Sequence, residues 1–202
     1  MTLNNFYLCR CTNSDLRFEL IRFQYQEKNQ LMKRKEISSA DISSKHLQET
    51  GIDKASFVVA ANNYLKRRNN RYILNIQDQI DFEGLQSVLS FAKQRKKKEI
   101  KVRVLPFQRK NQLNAFILET CMADQRFIID TIHLCISEKK LKTEGIVHFT
   151  VPIKRDASGK LISISEKENE THSLESITRF IISGFTDIKD AEAFAKKVNH
   201  QI

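Results

Sequence analysis

Two different spacings of hydrophobic positions divide the chain. Between residues 54 and 68, Phe57, Val58, Ala61, Tyr64 and Leu65 recur every three or four positions, which predicts a helix with one apolar face. A second helix is predicted over 81–96, where Phe82, Leu85, Val88, Leu89 and Ala92 share a face. Asp81 and Glu83 stand at its start and a lysine run at its end, which suits the helix dipole. Near residue 99 the period shortens to two. Ile100, Val102 and Val104 alternate with Lys101 and Arg103, a strand with one buried face. Pro106 ends it, because proline cannot donate to a ladder.

A second strand is predicted over 115–122. Asp124 is the expected cap of a helix over 125–140, with Ile128, Ile132, Cys135 and Ile136 inward. From Gly145 onward Val147, Phe149, Val151 and Ile153 point one way, and His148, Thr150, Pro152 and Lys154 the other. Asp156-Ala157-Ser158-Gly159 reads as a hairpin turn with Gly159 free to take a positive φ. Residues 161–165 return as a strand with Ile162 and Ile164 on one face. A polar loop at 166–173 leads to a strand over 177–183. Thr186 is then the expected cap of a last helix burying Ile188, Ala191, Phe194, Ala195 and Val198.

Three regions follow. Residues 1–53 are a polar leader or helical extension with a helix over 14–29, and 54–98 form a smaller, mainly helical segment with a short strand or extended linker at 72–76. Residues 99–202 run strand, strand, helix, strand, strand, strand, helix, which predicts an α+β, ferredoxin-like sandwich. Helices are expected over one face of its sheet, leaving the other to solvent or a partner. His148 and Thr150 on that polar-edged face are the interface candidates, toward another subunit or another domain.

Hydrophobic residues make up 41% of the chain and charged residues 29%, so a core is available. No apolar run approaches the length of a membrane span, and the opening residues lack a basic start followed by an apolar stretch. A cytoplasmic protein is expected, with Cys9, Cys11, Cys121 and Cys135 as free thiols.

The formal net charge is +10 and the pI about 9.5. The excess gathers in Lys66, Arg67, Arg68 and Arg71 and in Lys93, Arg95 and Lys96 to Lys98, extended by Lys101, Arg103, Arg109 and Lys110. Such clusters neutralise phosphates, but they are also the ordinary solvated ends of helices. A nucleic-acid-binding module is one rival reading. Tyr64 and Tyr72 beside the clusters do not make a stacking platform, which counts against it. The five glycines are isolated and the five histidines fall on different elements, so no phosphate loop, catalytic constellation or metal site is expected within these residues.

Six stretches, taken in order, carry a family resemblance: Phe91-Ala92-Lys93-Gln94-Arg95, Lys101-Val102-Arg103-Val104, Glu119 with Phe127-Ile128-Ile129-Asp130-Thr131, His148, the hairpin Arg155-Asp156-Ala157-Ser158-Gly159-Lys160-Leu161, and Glu175-Ser176. Together they resemble the N-terminal ACT-like region of the large bacterial NAD-dependent glutamate dehydrogenases. The resemblance implies the front of a longer polypeptide whose downstream module deaminates glutamate with NAD. No cofactor is then expected in this segment, and NAD in the parent enzyme. Its partners would be other subunits or the catalytic module, together with an amino-acid effector.

Where that family pattern carries a proline, this chain has Arg126, and the first strand–helix turn lacks the glycine common in regulatory ACT domains. The candidate ligand site is that turn, Asp124, Gln125, Arg126 and Phe127. A helix N-terminus offers unpaired N–H groups there, and a forked guanidinium suits a carboxylate. A stand-alone ACT-like module that binds an amino acid or dimerises through its sheet is the other reading.

Overall fold

The computed structural model describes Ser38, Ile42 and residues 44–67, 82–107 and 115–202. The predicted helix over 14–29, the stretch 72–76, Cys9 and Cys11, Arg68 and Arg71, and Arg109 and Lys110 lie outside them. Helix α1 spans Ser44–Thr50, α2 Lys54–Arg67 and α3 Phe82–Ala92. Strands β1 (Lys101–Pro106) and β2 (Ala115–Ala123) follow, then α4 (Ile128–Glu138), β3 (Lys142–Arg155), β4 (Leu161–Ile164), β5 (Ser173–Ser183) and α5 (Ile188–Gln201).

The sheet order is β1-β2-β5-β3-β4, with every neighbour antiparallel. Strands β2 and β3 both oppose β5, so they run parallel to each other and need the crossover that α4 provides. This is an α+β, ferredoxin-like arrangement whose outer strand beside β2 comes first in the chain.

Helices cover both faces, which corrects the expectation that one face stays open. Phe57, Ala60, Ala61 and Tyr64 of α2 and Leu85, Val88, Leu89 and Ala92 of α3 share a core with Phe149, Val151, Ile153 and Ile177. Tyr64 meets Phe149 edge-on, with centroids 5.8 Å apart. On the opposite face Ile128, Ile132 and Ile136 of α4 and Ala191, Phe194 and Val198 of α5 pack on Phe116, Leu118, Phe180 and Ile182. The strands therefore carry apolar residues on both sides, as doubly covered sheets do.

Several local expectations change. Asp124 does not cap α4: the cap position is Phe127, in the left-handed conformation at φ 66°, with no side-chain hydrogen bond. Helix α5 is capped by Asp187 in place of Thr186, its carboxylate accepting from Asp190 N at 2.8 Å. Helix α3 ends at Ala92, short of the lysine run, because Gln94 bridges to Lys160 and Arg95 turns inward. Strand β5 starts at Ser173, since Glu175 and Ser176 are held inside the sheet. Ile162 is 46% exposed while Ile164 is buried, the register slipping between Lys154 and Arg155. Ile188, expected inside, is likewise exposed.

Candidate functional site

Two buried carboxylates organise the face of the sheet beneath α3. Register places Arg103, Glu119 and Arg179 side by side across β1, β2 and β5. Glu119 is fully buried and accepts from Arg103 Nε at 2.7 Å, from Arg179 and from Ser87 Oγ at 2.9 Å. Arg103 also donates to the Ser87 carbonyl at 2.8 Å, so α3 is tied to the sheet through Ser87.

Glu175, on the adjacent strand β5 of the sheet and equally buried, takes the forks of two arginines. Arg95 donates to it at 3.1 and 2.7 Å, and Arg155 at 2.7 and 2.8 Å. Burial pushes the Glu175 carboxyl upward, but the hydrogen bonds from Arg155 and Arg95 outweigh it and hold the group below its ordinary value. For Arg95 burial acts against the charge, and the bonds and charge of Glu175 reverse this, leaving its pKa raised. Cys121 lies 3.5 Å from Glu175, and burial with the adjacent carboxylate pushes its thiol up to about 12. Such a thiol is not a nucleophile at neutral pH.

The remaining donors close the C-terminal end of α3. Arg155 reaches the Ala92 carbonyl at 2.9 Å, Lys101 Nζ those of Phe91 and Gln94 at 2.5 and 2.7 Å, and the Leu161 N–H that of Lys93 at 2.8 Å. Cations at that end also meet the negative pole of the helix. Gly159 makes the closest approach. Its N–H and carbonyl close the hairpin and meet Arg95 N at 3.0 Å, and at φ 90° a Cβ there would collide with the Arg95 carbonyl oxygen. The arrangement is a clamp: both carboxylates are saturated by guanidiniums and neither is placed to move a proton. Among the described residues no three His, Cys, Asp or Glu side chains gather closely enough to hold a metal ion.

The turn predicted to hold a ligand stands apart from this clamp. Asp124, Gln125, Arg126 and Phe127 are all exposed at the start of α4. Asp124 N donates to the Leu174 carbonyl at 3.0 Å, and Gln125 Nε2 to the Ile202 carbonyl at 3.0 Å, which ties the turn to the end of α5. Phe127 is 70% exposed. His148 and Thr150 are half-buried on the α4–α5 face, His148 Nε2 lying 3.0 Å from the buried Ser176 Oγ. The turn and the two strand residues sit on one side of the sheet and the carboxylate clamp on the other.

Sequence reading did not find the clamp as a unit, although Arg95, Arg103, Glu119, Arg155 and Glu175 all lie within or beside the stretches that carried the resemblance. One signal was available. Arg95 is the lone arginine in a run otherwise of lysines, and arginine is the cation suited to buried, two-pronged pairing.

Fold and clamp define an ACT-like α+β module with a helical layer bolted to one face. The family model described as glutamate dehydrogenase, ACT1 domain matches residues 60–198. The chain belongs to that family. The match takes in most of α2 and all of α3, the helices that the clamp holds to the sheet. No curated protein and no solved structure matches the chain.

Proposed function

We propose that this chain is the non-catalytic, N-terminal regulatory and assembly region of a large NAD-dependent glutamate dehydrogenase, acting in the cytoplasm. The parent reaction is the oxidative deamination of glutamate to 2-oxoglutarate, with NAD bound in a downstream catalytic module. The observation that carries this reading is the ACT1 family match over residues 60–198. The chemistry of the clamp agrees with it: Glu119 and Glu175 are consumed in ion pairs, and the Cys121 thiol is held protonated. No described helix is long and apolar enough to cross a membrane.

The test compares two proteins. The 202-residue chain should give no NADH from glutamate above a buffer control. The product of the complete natural reading frame should give it with NAD. Activity in the chain alone, or a complete product that is inert toward glutamate, overturns the reading.

A further inference from the structure

The two edges of the sheet are unlike. At β4 the Ile164 N–H donates to Ser56 Oγ at 2.8 Å and the Leu161 N–H to the Lys93 carbonyl at 2.8 Å, so α2 and the segment after α3 occupy that edge. At β1 the Phe107 N–H donates to the Ala115 carbonyl at 3.0 Å, which sets the parity of the ladder. Residues 101, 103 and 105 then exchange bonds with β2, and the N–H and C=O groups of Val102 and Val104 point away from the sheet. Pro106, next in line, has no N–H to offer.

The same strand carries positive charge that no carboxylate among the described residues fully answers. Lys101 bonds carbonyl oxygens alone among the described residues. Arg103 shares the single carboxylate of Glu119 with Arg179, and its side chain is 31% exposed. Both cations lie 4.5 Å from the centre of the Phe91 ring, which holds them along the flank of β1. Exposed Lys96, Lys97 and Lys98, followed by the single exposed carboxylate of Glu99, lead into the strand.

We propose that the β1 edge is a docking site for an extended acidic segment of a partner polypeptide. The segment adds as a sixth strand, its main chain bonding Val102 and Val104 and its carboxylates lying opposite Lys101 and Arg103. A second copy of this chain does not fit the role. Antiparallel pairing of two β1 strands through Val102 and Val104 sets Arg103 against its own counterpart with Lys101 beside it. A polynucleotide would meet the cations but leave the outward backbone groups unpaired. The inference rests on the geometry of β1 and is independent of the parent enzyme's reaction.

The experiment uses the 202-residue chain and a fluorescent peptide of about eight residues alternating glutamate and valine, a typical strand length. Anisotropy should rise on binding, fall with added salt, and stay flat for a lysine–valine peptide. Amide exchange at Val102 and Val104 should slow in the complex. N-methylating the peptide amides that face β1 should weaken binding about tenfold, the loss of two or so main-chain hydrogen bonds. Val104→Pro should do the same from the protein side while retaining the circular dichroism of the fold. If that variant does not fold, the methylated peptide decides. Equal binding of the methylated peptide, absence of binding by the acidic one, tighter binding of a single-stranded oligonucleotide, or a dimer whose Val102 and Val104 amides are already protected each overturns the proposal.

Discussion

Arg155 on β3 and Glu175 on β5 meet in a two-pronged ion pair, Nε to Oε1 at 2.7 Å and the terminal nitrogen to Oε2 at 2.8 Å. Arg95 grips the same carboxylate from the segment after α3, so one side chain joins two strands and a helix end. Planar forks suit this sharing, since each guanidinium keeps donors for neighbouring carbonyls. Arg155 spends them on Ala92 and Gly159, and Arg95 on Lys96 and Glu99.

Removing the shared carboxylate strands two buried cations. Glu175→Gln should therefore cost about 3–5 kcal/mol, the range for breaking one partner of a buried pair. Urea unfolding checks it, with the midpoint falling at unchanged slope. A loss under about 1 kcal/mol would mean that water or another group already balances Arg95 and Arg155.

The same group sets an acid limb in the stability curve. Its folded pKa lies below the ordinary 4.5, so its contribution is complete above that value and disappears as pH falls through the depressed one. Denaturant midpoints of the native chain should hold down to about pH 4.5 and then drop. Glu175→Gln should drop less steeply there. Parallel curves for the two proteins would remove Glu175 as the source.

Phe127 presents a bulky side chain in left-handed backbone, a conformation that costs a residue other than glycine about 1–2 kcal/mol. Phe127→Gly should raise stability by about 0.5–1 kcal/mol and the thermal midpoint by roughly 1–4 °C. A lower midpoint would show that the exposed ring holds the start of α4 in place.

Under the regulatory reading proposed above, the candidate site for an amino-acid effector is the exposed 124–127 turn, where Phe127 at the cap of α4 makes no side-chain cap hydrogen bond. Calorimetric titration with glutamate, aspartate and leucine should give heat for the acidic ligands, and Arg126→Ala should abolish it. Heat unchanged in that variant removes Arg126 from the site, and no heat with any ligand reduces the turn to structure.

The periodicities of Phe57 to Leu65 and of Val147 to Ile153 were legible because each places one apolar face against one core. The face beneath α3 was not. Lys101 and Arg103 alternate with Val102 and Val104 in the way of a half-exposed strand, and a single sequence cannot show that Glu119 and Ser87 wait on the charged side. Period two reports apolar against polar, and in a sheet covered on both sides that is not inside against outside. The cap of α4 was misplaced for a related reason. Asp124 has the right chemistry for a cap, but its backbone is already engaged by Leu174 of β5, and the helix begins only after Phe127.

The position of β5 bears on how the chain reaches this state. The last strand to be made lies in the middle of the sheet, between β2 and β3. Until it arrives, β2 and β3 have no ladder to share, and Glu119 lacks Arg179 while Arg95 and Arg155 lack Glu175. A chain made only up to about residue 170 therefore carries helices and two separate hairpins, β1–β2 and β3–β4, with no strand to join them into one sheet, and contacts across such separations form slowly. Synthesis of the eleven residues of β5 is the step that turns these pieces into one cooperative unit.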